Sequence, residues 1–102
     1  MQLVARIPAL PENALRASAE FHRDHLDALI EGATGGVDAI AIVFAPAPYD
    51  HKAWRRAVLA DLARQCAPVR INGVSGEDGP ALSAALSWLD RSPGVTGQLL
   101  CL

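Results

Sequence analysis

The chain has 102 residues, 51% of them apolar, which is enough for one small core and too few residues for a second domain. Nine basic and eleven acidic side chains leave a formal net charge of −2 with neither sign gathered into a run, so neither nucleic acid nor an anionic membrane is expected as a partner. The longest apolar stretch, residues 39–47, is far below the ~20 residues that span a bilayer, and residues 1–8 lack the basic and apolar regions of a secretory leader, so a cytoplasmic location is expected.

In chain order, strand-like and helix-like periods alternate, the pattern of a parallel sheet with covering helices. Residues 3–7 read as a short strand, closed by Pro8 and Pro11. Residues 12–31 read as one helix. Its stripe is Leu15, Ala19, His22, Leu26, Leu29 and Ile30, with Glu12, Arg16, Glu20, Arg23, Asp27 and Glu31 on the other side. Gly32, Gly35 and Gly36 stop it. The continuous apolar run at 38–45 predicts a strand buried on both faces, hence central in the sheet.

Pro46 and Pro48 break that strand. A second helix is predicted over 50–67, with Asp50 as its cap and Val58, Leu59, Leu62, Ala63 and Cys66 as its apolar face; Trp54 lies at the margin. Pro68 ends it. A third strand at 69–74, a third helix at 80–90 opened by Asp78-Gly79-Pro80, and a fourth strand at 98–102 complete one domain over residues 1–102. The fold expected is a small α/β, Rossmann-like three-layer domain: four mainly parallel strands in chain order, with helices on both faces.

The isolated chemical candidates read mostly as structure. Cys66 and Cys101 fall on apolar positions without metal-ligand spacing, which favours buried free thiols. His22 and His25 are three apart on one helix, but no further ligands at fixed spacing complete a metal site, and none is expected. In the stretch from Gly73 to Gly79, Glu77 and Asp78 place negative charge where a phosphate would otherwise sit at a helix N-terminus.

Three segments carry a resemblance. Val69-Arg-Ile-Asn-Gly-Val-Ser-Gly76, the Ala/Leu-rich helix at 81–89 ending near Trp88, and Val95-Thr-Gly-Gln98 followed by Leu99 to Leu102 resemble the C-terminal part of the short-chain dehydrogenase/reductase family, which runs "VRVNAVSPG", a helix with an aromatic near its end, and "VTGQxLxVDGG". The resemblance is strongest over residues 69–102 and weaker back to the first helix. It implies a truncated Rossmann-like domain whose cofactor half is missing.

Most of the chemistry that the resemblance implies has no counterpart here. The family's TGxxxGxG turn, whose glycines admit a cofactor pyrophosphate, is absent, so no cofactor and no NAD or NADP binding is expected. The serine after the central strand is absent too, as no serine lies between Ser18 and Ser75. The family's Tyr-x-x-x-Lys pair has only a remnant, Tyr49 and Lys52, one residue short. Where the family has Pro-Gly, this chain has Ser75-Gly76.

The expectation is therefore a non-catalytic interaction module that self-associates. The alternatives are a small-ligand binder using the crevice at the C-terminal strand ends, around Pro46, Tyr49, Ser75 and Gly76, or a degenerate oxidoreductase using Tyr49 and Lys52. By resemblance, a homodimer would form on the two long helices, with Phe21, His25, Trp54 and Ala57 at the interface. The competing arrangement joins sheet edges at 3–7 or 98–102.

Overall fold

A computed structural model describes all 102 residues. Four strands, β1 (Gln2–Arg6), β2 (Ala39–Phe44), β3 (Arg70–Ser75) and β4 (Leu99–Cys101), form one sheet in the order β1-β2-β3-β4, and every neighbouring pair is parallel. Two helices, α1 (Ala14–Asp24) and α2 (Leu26–Gly32), connect β1 to β2; α3 (Lys52–Cys66) connects β2 to β3 and α4 (Pro80–Asp90) connects β3 to β4. This is the small Rossmann-like α/β architecture expected, with the apolar run of β2 in the sheet interior. All six β2 residues are buried.

Strand alternation decides what each face buries. Ile40, Ile42 and Phe44 point to one side with Ile71, where α1, α2 and α3 supply Phe21, Leu29, Val58, Leu59 and Leu62. Ala41 and Val43 point to the other side with Val74, where only α4 answers, through Leu82 and Leu89. At Gly73 the helix comes unusually close, because a Cβ built there would lie 2.7 Å from Leu59 Cδ1 and 3.1 Å from Phe44 Cε2.

The family-like segments at 69–102 act as a splice between β3 and β4. Asn72 is buried; its side-chain amide donates to the Val95 carbonyl at 2.9 Å and its side-chain carbonyl accepts from the Gln98 N–H at 3.0 Å. Thr96 Oγ1 accepts from the Ile71 N–H at 3.0 Å, and the Gly97 N–H donates to the Ile71 carbonyl at 2.7 Å. Gly97 has φ +75°, a conformation that glycine takes without Cβ strain. The Val-Thr-Gly-Gln string thus has a structural use: it satisfies the backbone and the amide of a buried strand.

Several expectations are corrected. The helix expected over 12–31 is two helices, because His25 (φ −124°, ψ −25°) interrupts it. The interruption resets the phase, so a stripe drawn at one angle through twenty residues fits only its second half. Leu29 is buried, with Leu26 and Ile30 packed beside the core, whereas Leu15 is 80% exposed and Ala19 and His22 face solvent. In α1 the core face is Ala17 and Phe21 instead. Phe21, expected as a surface anchor, is 0% exposed, enclosed by Phe44 at 5.7 Å and Trp54 at 5.5 Å between ring centroids.

At the second helix, Asp50 is not a cap. It lies in a 3-10 turn, Tyr49–His51, that precedes α3, and no side chain caps that helix. Cys66 is buried as expected, but Cys101 is exposed because β4 is a three-residue edge strand with nothing beyond it.

Candidate functional site

Because all four strands run parallel, their C-terminal ends meet along one rim, where open α/β sheets bind ligands. β2 ends in Phe44, and Pro46 and Pro48 turn the chain outward into the 3-10 turn and the start of α3. β3 ends at Ser75 and β4 at Cys101. Between them lies a crevice of about 230 Å³ whose walls include Pro46, Lys52, Arg55, Ser75, Cys101 and Leu102. Not one carboxylate side chain lines it.

Arg55 dominates this crevice. The residue is only 5% exposed, yet no acid pairs with it. Its Nη1 donates to Ser75 Oγ at 3.2 Å and its Nη2 to the Ala45 carbonyl at 3.0 Å, while the buried Nε–H has no acceptor. The guanidinium carbon lies 4.6 Å from the Phe44 ring centroid and 5.7 Å from that of Trp54. Stacking on aromatic faces returns about 1–2 kcal/mol to a desolvated cation, whereas removing an unpaired ion from water costs several. The charge is therefore only partly compensated, and burial lowers the Arg55 pKa from its ordinary value.

His51 buttresses the floor. Its ring is buried, with Nε2 2.7 Å from the Glu12 carbonyl and Nδ1 3.3 Å from Trp54 Nε1. An indole N–H can only donate and a carbonyl can only accept, so this network assigns the neutral tautomer protonated at Nε2. His51 also lines the crevice, but both of its ring nitrogens are occupied, so its role there is to position Trp54.

The expected site residues separate on this geometry. Pro46 and Ser75 line the crevice, whereas Gly76 lies on a neighbouring groove beside Glu77 and Asp78. Tyr49 is outside the crevice wall and 81% exposed; it is fixed there because the 3-10 turn carries its ring outward, with Lys52 Nζ 5.0 Å from the ring centroid. Lys52 alone of that pair reaches the crevice. Among the interface candidates, Ala57 is exposed, His25 and Trp54 are half-buried, and Phe21 is enclosed. His22 Nδ1 is 2.7 Å from the Ser18 carbonyl, and no three His, Cys, Asp or Glu side chains come together in a geometry that could hold a metal ion.

Arg55 escapes a reading based on the extent of the apolar face alone. A signal was nevertheless present: Arg55 precedes Val58, Leu59, Leu62 and Cys66 by three, four, seven and eleven positions, the spacing of the buried face of α3. A cation on that stripe must be buried.

The family model described as "Short chain dehydrogenase-like protein" matches residues 5–102, nearly the whole chain, and the protein belongs to that family. No curated protein and no solved structure matches it. No helix is long and apolar enough to cross a membrane.

Proposed function

We propose that this short-chain dehydrogenase-like domain is a non-catalytic module that self-associates through the open edge at β1. The observation that supports this reading is the state of that edge. Leu3 and Val4 are each 37% exposed, on a five-residue strand paired on one side only. The Met1 carbonyl accepts from the Asp38 N–H and the Ile7 N–H donates to the Val43 carbonyl, so odd-numbered residues of β1 address β2. By alternation the backbone groups of Gln2, Val4 and Arg6 point outward with no sheet partner. Such an edge is a template for a further strand.

A two-fold axis beside Val4 would pair two β1 strands antiparallel and make one eight-stranded sheet from two copies. The three-residue β4 offers a shorter alternative. The helix faces offer less, since Phe21 belongs to the core and Ala57 is small. The non-catalytic part of this reading is supported by the residues present: the family's glycine turn and serine have no counterpart in the sequence, and Tyr49 stands outside the crevice.

Sedimentation equilibrium on the wild type and on Val4→Pro tests this reading. The substitution removes an outward N–H and should leave the pairing with β2 in place. A dimer that becomes a folded monomer in Val4→Pro is the expected result; a wild-type monomer at all accessible concentrations refutes it. A second reading, small-ligand binding at the strand ends, is favoured by one specific observation, the buried cation of Arg55 in a crevice without acids.

A further inference from the structure

We infer that the crevice between Pro46, Lys52, Arg55 and Ser75 binds the carboxylate of a small organic acid, with Arg55 as the principal recognition group. This rests on the second reading above and names the ligand class for it.

Four observations converge. Arg55 carries a buried positive charge with no acid partner, and its buried Nε–H lacks an acceptor, a pairing that native interiors seldom leave incomplete. Ser75 Oγ and the Ala45 carbonyl hold the two Nη groups, and the rings of Phe44 and Trp54 flank the guanidinium, so the cation is fixed in place before a ligand arrives. Lys52 adds a second, half-buried cation to the same wall. Two cationic side chains line the crevice, and no side-chain carboxylate does.

The remainder of the wall favours a carboxylate over a phosphate. Pro46 and Pro48 present no N–H groups, and the Leu102 N–H already donates to the Ser75 carbonyl at 2.9 Å, so these positions add no backbone donors of the kind with which proteins surround phosphate oxygens. Planar recognition by one arginine suits a carboxylate. A crevice volume of about 230 Å³ admits an acid with a short apolar tail. The neighbouring glycine loop offers no phosphate cradle either, because Glu77 and Asp78 occupy it.

An amide-resolved NMR titration of the full chain with propionate, propionamide and inorganic phosphate tests the inference. Propionate should give saturable shifts at Ser75, Cys101 and Leu102 with a dissociation constant of about 1 mM, and propionamide, which lacks the charge, should give none. Arg55→Met should weaken propionate binding by at least about tenfold. Should that variant fail to fold, Lys52→Ala keeps the core intact and should weaken binding about threefold through loss of the second charge. Equal shifts with propionamide, or wild-type affinity in a folded Arg55→Met or in Lys52→Ala, overturn the assignment. Phosphate saturating at lower concentration than propionate overturns the carboxylate class and leaves the ligand crevice standing. No saturation by either anion up to about 50 mM removes both.

Discussion

The two faces of the sheet are unequal, and the inequality begins inside a single strand. β2 alternates Ile40, Ile42 and Phe44 toward one side with Ala39, Ala41 and Val43 toward the other. The large residues meet three helices and the Phe21, Phe44 and Trp54 rings, which sit 5.5–5.9 Å apart. On the second face, α4 alone covers the sheet, with Leu82 and Leu89 buried and Trp88 46% exposed at the helix end. Side-chain volume in the strand sets how much helix surface can be recruited over it. Where β2 offers alanines the second layer is thin, and the neighbouring edge residue Val4 is left partly open to solvent.

This contrast can be broken by truncating one large side chain on each face. Phe21→Ala should cost about 3–5 kcal/mol, since it removes a fully enclosed ring at the junction of α1, α3 and β2. In a domain whose total stability is itself only about 5–10 kcal/mol, a large fraction of the chains should then be unfolded at moderate temperature. Leu89→Ala on the thinner face should cost about 2–3 kcal/mol, the lower part of the range for buried leucines, because a single covering helix can settle into the gap. Urea midpoints for the two variants measure the difference; equal losses would mean that the α4 layer is packed as tightly as the aromatic one.

The two thiols sharpen the comparison with the smallest effect. Cys66 lies in the three-helix core, and burial raises its pKa above the ordinary thiol value, so the reactive thiolate is scarce as well as shielded. Cys101 is exposed on β4. Under native conditions at pH 8, iodoacetamide should modify Cys101 promptly and Cys66 only on the timescale of local opening, as read by mass spectrometry of the intact and digested chain. Raising the pH should narrow the gap as the Cys66 thiol approaches its raised pKa. Simultaneous modification would show that the layer over Cys66 opens as easily as the rim.

Much of the architecture was legible in the sequence because it rests on local signals. The apolar run of β2, the prolines at 46, 48 and 68, and the Gly79-Pro80 pair that starts α4 each act within a few residues, and the parallel order follows from joining consecutive strands through helices. The Val-Arg-Ile-Asn and Val-Thr-Gly-Gln strings marked the family before any geometry was known, and the match over residues 5–102 bears that out. The boundary shifts by one or two residues at the strand ends are what hydrogen bonding to neighbours decides, as when residues 98–102 shorten to the three-residue β4.

What remained hidden depended on phase and on enclosure. The break at His25 rotates α1 relative to α2, and only their joint contact with β2 and α3 made Phe21 interior and Leu15 exterior. Arg55 could be placed on the buried face of α3 by its spacing, but its isolation could not. Whether a buried cation has an acid beside it depends on residues far away in the chain, here Ala45 and Ser75, which supply a carbonyl and a hydroxyl and no charge. The sequence by itself determined the strands, their order and the lineage, because backbone propensity and side-chain periodicity are local. Tertiary structure alone decided which helix face became core and which charge was left unpaired, because burial and Coulomb pairing depend on distances in space that sequence separation does not set.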